Sequence, residues 1–195
     1  NQLKINWTDV FEPSVRPAAI VMFLTATCSG IIFVITPDIS AFLGIENKGF
    51  FFGVYVISTM LIRLLTSSMS DRIGRRKMLF AGCILLIASM MLIAIANSVN
   101  TYILAAIVFG FATGVSSPTL FAWTADLSPE HRRGVGAGTM FIALELGIMT
   151  GSLSTLLTYH NSKATVYLAF ATGAIFALLA GIYLLWHLKT QKSQF

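Results

Sequence analysis

Residues 67–77 read SSMSDRIGRRK, and they separate two long apolar runs. The run before them, at 50–66, reads FFFGVYVISTMLIRLLT, and the run after them, at 78–94, reads MLFAGCILLIASMMLIA. A helix rises ~1.5 Å per residue, so each run is close to the length that crosses a hydrocarbon core of ~30 Å. A short basic segment between two such runs predicts two antiparallel transmembrane helices joined on the cytoplasmic side.

Four more apolar runs flank this pair. The six predicted spans are 18–43, 50–69, 78–96, 101–125, 135–158 and 164–187, and the first is expected to tilt or bend near Pro37. Strands are excluded because an open sheet would leave backbone groups unpaired in lipid. The predicted fold class is therefore an all-α membrane protein with six transmembrane helices. Its predicted parts are a cytoplasmic leader at 1–17, a transmembrane bundle at 18–187 and a cytoplasmic tail at 188–195.

The composition supports a lipid environment. Of the 195 residues, 56% are hydrophobic and 11% are charged, whereas a soluble domain averages about 25% charged residues. The net charge of +5 does not indicate nucleic acid, because the charges lie in short clusters between apolar runs and form no folded basic surface. The histidines and the two cysteines share no metal-ligand spacing, so neither a metal nor a cofactor is predicted.

The basic residues set the predicted orientation. Ten of the 13 Lys and Arg residues fall on one side of the spans, Lys48 and Lys163 fall on the other, and Arg63 lies within a span. The side with ten should be cytoplasmic, with both termini on it. The chain begins with Asn1 and its polar start has no apolar signal region, which indicates a fragment or a processed product.

Small residues at a spacing of four indicate close helix packing. Gly110/Gly114, Gly134/Gly138 and Gly147/Gly151 each have this spacing, and so do the small residues of the last span from 169 to 181. Lipid gives helices no hydrophobic reason to associate, so small residues that let backbones approach are expected at helix contacts.

Two segments carry a family resemblance. The signature loop, residues 67–77, resembles the G-x-L-a-D-r-x-G-r-r loop of the major facilitator superfamily; Ser67 and Met69 depart from that pattern, and the matching positions are Asp71, Arg72, Gly74, Arg75 and Arg76. Residues 126–134, which contain Asp126, Arg132 and Arg133, resemble the family's cytoplasmic loop between the fourth and fifth helices of a half-transporter.

The resemblance implies one half of a twelve-helix bundle. The leader at 1–17 is similar to the end of a central cytoplasmic loop, and residues 146–152 lack the G-P-x-x-G-G pattern of the amino-terminal half of drug antiporters. The chain is therefore interpreted as the carboxy-terminal half, with a missing amino-terminal six-helix half as partner.

The resemblance also implies a role for the loops. Contacts between them would latch the cytoplasmic side shut and break as the halves rock, and Arg75 or Arg76 is expected to pair with Asp126. The alternative is that the basic residues only anchor the topology.

Glu145 is predicted to lie deep in the membrane. It stands eleven residues into the fifth span, so ~16 Å from the start of that helix. A carboxylate at this depth is costly unless it is paired, protonated or hydrated. Arg63 lies at a similar depth, so the two residues are expected to form either a proton-coupling site or a structural ion pair, with a contact to the missing half as a further alternative.

The first and fourth spans line the central cavity in the family that the chain resembles. The candidate substrate contacts on them are Phe23, Thr27, Phe33, Asp38, Ser116, Ser117, Phe121 and Trp123. Asp38 is placed near the outer end of the first span. For each of these residues the alternative is a packing or lipid-facing side chain.

Secondary transport by alternating access is the predicted function. We expect proton-coupled efflux of a small organic molecule across a bacterial cytoplasmic membrane, with uptake of a metabolite by proton symport as the alternative. The lipid bilayer, the substrate and protons are the expected partners. The membrane faces carry only basic loops, which argues against an enzyme, and a non-transporting interaction module is the remaining alternative if six helices are the complete chain.

Overall fold

Seven helices make up the part of the chain that the structure, a computed structural model, describes: residues 10–66 and 69–192. They are α1 Arg16–Phe42, α2 Phe50–Thr66, α3 Met69–Ile73, α4 Arg75–Ala94, α5 Val99–Leu127, α6 Arg133–Thr158 and α7 Lys163–Lys192. Single 3-10 turns at Pro13–Val15 and Glu130–Arg132 precede α1 and α6. These residues contain no strand, so the predicted all-α membrane fold is confirmed in its class.

Five of the helical segments are long and apolar enough to cross a membrane. They are Pro13–Phe42, Arg75–Ala94, Val99–Leu127, Glu130–Thr158 and Lys163–His187. The sixth apolar helix, α2, has 17 residues and is ~25 Å long. The span predicted at 50–69 is described as a helix to Thr66; Ser67 and Ser68 lie outside the described residues, and helix is described again over Met69–Ile73.

Glycines and a capping serine mark where several helices begin and end. Gly44 follows α1 with φ +73°, and Gly74 separates α3 from α4 with φ +97°, a left-handed conformation that glycine adopts without a Cβ clash. Ser98 caps α5 by accepting a hydrogen bond from the backbone N–H of Thr101 at 3.3 Å. Pro37 lies inside α1, where the helix continues past it to Phe42.

The packing of the long helices repeats in two triplets, α1–α2–α4 and α5–α6–α7. The first helix of each triplet packs against the second and third helices of the other, and the third helices pack against each other. Contact between α1 and α5 is slight by comparison. Two sets of antiparallel three-helix units crossed in this way form the inverted-repeat arrangement found in many transporters.

Glycines form the closest helix contacts. A Cβ on Gly151 would lie 2.0 Å from the carbonyl oxygen of Thr27, and one on Gly110 would lie 2.7 Å from that of Tyr55. The α1–α6 and α2–α5 contacts therefore require glycine at these positions, because a side chain there would clash with the neighbouring helix. Gly134 and Gly138 were predicted to pack in the same way, but space around them is open in this chain.

The core is divided into two clusters along the bundle. One contains Tyr102, Phe109 and Phe170, and the other, nearer the basic loops, contains Leu79 and Met140. Side chains of α1, α4, α5 and α7 meet in both clusters, and α2 joins the first cluster while α6 joins the second.

Candidate binding cleft and charge clusters

A cleft lies between α1 and α5 and is closed from behind by α4 and α6. Its apolar lining includes Met22, Leu86, Leu120 and Leu144, and its hydroxyl lining consists of Thr25, Ser29, Thr113, Ser116 and Ser117. No charged side chain lines it among the described residues. The combination of an apolar wall with a few hydroxyl groups suits a small, largely uncharged organic molecule.

The hydroxyl groups of the cleft threonines donate hydrogen bonds to carbonyl groups of their own helices. Thr25 donates to the carbonyl of Val21 at 2.8 Å, and Thr113 donates to the carbonyl of Phe109 at 3.0 Å. Each hydroxyl oxygen still has lone pairs that accept hydrogen bonds. The threonines therefore offer acceptors to a bound molecule.

Ser116 and Ser117 are the members of the predicted substrate set that line this cleft. Thr27 is fully buried against α6, and its hydroxyl donates to the carbonyl of Phe23 at 2.9 Å. Thr25 and Ser29, which were not predicted, take its place on the cleft side. Thr27 and Ser29 are two positions apart, or ~200° around a helix, so they face different partners.

The aromatic candidates lie in three other places. Phe33 is exposed and its ring centroid is 5.8 Å from that of Phe52. Phe121 packs on Phe141 of α6 at 5.3 Å. Trp123 is buried beside the start of α4 and the end of α7. The structure therefore places these rings outside the cleft lining.

Asp38 lies near the carboxy-terminal end of α1 and contacts the α6–α7 connection. Its carboxylate accepts a hydrogen bond from the hydroxyl of Tyr159 at 2.9 Å. Burial, followed by the Asp38 hydrogen bond and charge, raises the pKa of Tyr159. The hydroxyl therefore stays protonated and continues to donate, so Asp38 links α1 to the α6–α7 connection.

Arg75 is the centre of the first of two charge clusters. Its Nε donates to Asp126 Oδ2 at 3.0 Å, a terminal nitrogen donates to Ser70 Oγ at 2.6 Å, and the same nitrogen pairs with Asp71. The ion pair expected between Arg75 and Asp126 is thus present. It joins α3, α4 and α5 at the end of the bundle that carries most of the basic residues.

The other basic residues of the two loops differ in their surroundings. The guanidinium carbon of Arg76 lies 5.8 Å from the ring centroid of Trp123, within the range of a cation–π contact. Arg72 and Arg133 are exposed. Gly74 supplies the turn that brings Arg75 and Arg76 to the start of α4.

Glu12 is the centre of a second charge cluster, which was not predicted. Its carboxylate pairs with Arg132 and accepts from the Ser14 hydroxyl at 2.8 Å, while its backbone N–H donates to Thr139 Oγ1 at 2.9 Å. The hydrogen bond from Arg132, and then that from Ser14, lowers the pKa of the Glu12 carboxyl. The leader is therefore fastened to the α5–α6 loop. One sequence feature could have predicted this contact. An acidic residue precedes the first span, and the loop at 131–133 contains three basic residues.

Glu145 and Arg63 are both exposed and lie on different helices. Arg63 lines a hollow near Ser70 and Thr119 at the basic end of α2. Within residues 10–66 and 69–192 no ion pair joins Arg63 and Glu145. The expected pairing of the two is thus not formed within this chain, and Glu145 lies on the opposite side of α6 from Gly147, which packs on α1.

Comparison with known proteins gives a consistent set of relatives. The sequence model of the family described as Major Facilitator Superfamily matches residues 18–195. The "Quinolone resistance protein NorA" of Staphylococcus aureus is 23% identical over 167 residues, which are 84% of this chain and 43% of that protein. The "D-xylose transporter" of Levilactobacillus brevis is 28% identical over 137 residues, 70% of this chain and 29% of that protein. The chain spans less than half the length of these relatives.

Proposed function

This chain belongs to the major facilitator superfamily, whose members are transporters and not enzymes, and from this premise we propose that it is the carboxy-terminal six-helix half of a twelve-helix transporter. The two crossed triplets support this proposal, because they complete one inverted-repeat unit. The leader at 1–17, the bundle at 18–187 and the tail at 188–195 are its proposed parts.

The transported molecule is a small organic compound that binds between α1 and α5. The cleft with its five hydroxyl groups is the observation that carries this proposal. A second six-helix half covers the cleft and supplies its opposite wall. Alternating access then exposes the same residues to each side of the membrane in turn.

Efflux driven by a proton gradient is the proposed direction and energy source, and the resistance protein among the relatives supports it. The sugar transporter among them favours uptake by proton symport as the second candidate. Glu145 is the proposed proton carrier, since an exposed carboxylate in the middle of α6 is costly in lipid unless it is protonated or faces another polar group.

The cytoplasmic gate is proposed to be the cluster around Arg75. Asp71 and Asp126 hold Arg75 from different helices, so a shift of α5 against α3 would break one of these contacts. Arg132 and Arg133 belong to the adjacent loop and move with α6. The protein is placed in the bacterial cytoplasmic membrane with both termini inside, in keeping with the excess of Lys and Arg on that side.

Transport by proteoliposomes tests these assignments. The chain is reconstituted together with an amino-terminal half from the same gene or gene cluster, and uptake or release of uncharged fluorescent organic compounds and of pentoses is measured under an imposed pH gradient. Movement of one class that stops when the gradient collapses supports the proposal. Absence of movement for both classes contradicts the substrate assignment.

The Glu145→Gln variant tests proton coupling separately from substrate binding. If Glu145 carries the proton, the variant loses gradient-driven transport while it still exchanges substrate between the two sides down a concentration gradient. Glu46→Gln, at an exposed position outside the helices, is the control and keeps both activities. Full gradient-driven transport by Glu145→Gln would exclude this role.

A further inference from the structure

A hollow near the end of α2 is separate from the cleft between α1 and α5. Its volume is about 220 Å³, which is below the ~300–1,000 Å³ typical of pockets for drug-sized molecules. Among the described residues none lines both spaces, because the cleft and the hollow lie against different faces of α5. The lining of the hollow consists of Arg63, Thr66, Ser70, Met78, Val115, Pro118 and Thr119.

Arg63 is the cation of this hollow. It belongs to the apolar helix α2 and lies close to the end of that helix at Thr66. Within residues 10–66 and 69–192 no acidic side chain pairs with it. A guanidinium near hydrocarbon is costly unless an anion, a carbonyl group or water compensates its charge. The positive charge of Arg63 is therefore available to a ligand in the hollow.

Ser70 supplies an unused hydrogen-bond donor beside Arg63. Ser70 is 9% exposed, and its oxygen accepts a hydrogen bond from Arg75 at 2.6 Å. The hydroxyl still has its own proton to donate, and in the described part of the chain no acceptor receives it. The hydroxyls of Thr66 and Thr119 differ, since each donates to a carbonyl of its own helix at 2.7 Å. A guanidinium and a buried hydroxyl proton that line one hollow select an acceptor with negative charge.

We propose that this hollow binds the carboxylate group of a small organic anion. A planar carboxylate accepts two parallel hydrogen bonds from a guanidinium such as that of Arg63, and its remaining lone pairs accept the proton of Ser70. The apolar wall formed by α4 and α5 covers the organic part of the molecule. The site goes beyond the proposed transport function because it uses no residue of the cleft.

Benzoate and benzamide test the proposal, because they have nearly the same shape and differ in charge. An engineered cavity of about 150 Å³ in another protein holds benzene, so a ring with a carboxylate suits the size of this hollow. The purified full chain is placed in phosphatidylcholine nanodiscs. Saturation-transfer NMR then measures the affinity for each compound, with empty nanodiscs as the blank and ionic strength held constant. Benzoate should bind at least about 10-fold more tightly than benzamide, since hydrogen bonds to charged groups are the stronger ones.

Matched substitutions separate the site from the general charge of the protein. Arg63→Gln should weaken benzoate binding about 10- to 100-fold. Arg16→Gln, which removes an exposed arginine at the start of α1, should leave it unchanged. Arg63→Lys keeps the charge but loses the paired geometry, so its affinity should lie between these limits. Ser70→Ala should weaken benzoate binding, whereas Thr119→Val should not, because the Thr119 proton is already donated within α5.

Several results would overturn the proposal. Equal binding of benzoate and benzamide would show that the hollow does not select charge, and unchanged benzoate affinity in Arg63→Gln would place the binding elsewhere. Displacement of benzoate by an equal concentration of inorganic phosphate would assign the site to phosphate. Loss of benzoate binding when phosphatidylglycerol replaces part of the phosphatidylcholine would assign Arg63 to a lipid, and loss on addition of the amino-terminal half would assign it to that half.

A second pair of variants keeps the test decisive if Arg63→Gln does not fold. Folding is judged by the reaction of the buried Cys28 and Cys83 with a thiol dye. In that case Arg63→Lys and Ser70→Ala replace the failed variant. Weaker benzoate binding in both supports the site, and unchanged affinity in either contradicts it.

Discussion

Gly151→Ala tests the close contact between α1 and α6. A Cβ at this position would lie 2.0 Å from the carbonyl oxygen of Thr27, whereas Cβ contacts under 3.0 Å are essentially never observed. The two backbones must therefore separate by about 1 Å, because the atoms that clash are main-chain atoms with no rotamer to change. Overpacking of this kind costs ~1–3 kcal/mol, which should lower the melting temperature by about 2–12 °C for a chain of this size.

The assay uses the two buried cysteines. Cys28 and Cys83 are buried and unbridged, so a thiol-reactive dye reports unfolding as they become accessible during a temperature ramp. Gly138→Ala is the matched control, because it lies on the same helix and an added Cβ there meets nothing within 4 Å. It should melt within about 2 °C of the unsubstituted chain.

Equal melting of the two variants would refute this reasoning. It would show that α1 and α6 do not approach at Gly151, and the crossed packing of the two triplets would lose its main contact.

The remaining predictions concern the proposed gate, the leader and the core cluster that contains Tyr102. Asp71→Asn should reduce transport while membrane insertion stays normal, since it removes one carboxylate of the gate; unchanged transport rates would exclude the gating role. Glu12→Gln should reduce the loss of melting temperature that acid causes below about pH 4.3. The Glu12 pKa is lowered in the folded chain, so its stabilising contribution is complete above the ordinary value of about 4.3 and is lost as pH falls through the folded value. Tyr102→Phe should cost ~1–3 kcal/mol, because the buried Tyr102 hydroxyl donates to the Thr36 carbonyl at 2.7 Å. Tyr167→Phe, at an exposed position, should not change the melting temperature.

The spans could be predicted because the length of an apolar run is a local property. The fifth span was expected at 135–158 and the helix occupies Arg133–Thr158. The difference at its start is one turn or less, where the apolar run gives way to the basic loop. The second span was expected at 50–69, and its helix is described from Phe50 to Thr66, with Ser67 and Ser68 outside the described residues.

Helix partners could not be predicted from spacing. Gly134/Gly138 and Gly147/Gly151 have the same spacing on one helix, yet only the second pair meets another backbone. Which face of a helix is covered depends on the position of its neighbours, and this information is not present in the helix itself. The family resemblance was correct, but it did not indicate which neighbouring hydroxyl, such as Thr25 instead of Thr27, would face the cleft.

The ion pair between Glu12 and Arg132 could not be predicted from the sequence either. Glu12 and Arg132 lie 120 residues apart, and many acidic and basic residues near the same membrane face satisfy the same rule of opposite charge. The pair of Arg75 with Asp126 was found because both positions belong to segments that resemble the family's loops.

The crossed triplets also determine when each helix can complete its packing contacts during synthesis. The α1 segment enters the membrane early, but its close partner on α6 is made much later: Ser152 donates to the carbonyl of Gly30, 122 residues away in sequence. Until then the face of α1 that contains Phe23, Thr27 and Gly30 is exposed to lipid or to the insertion machinery. Nascent chains halted before α6 should therefore be the species that quality-control proteases remove, whereas chains halted after α7 already contain every contact described above.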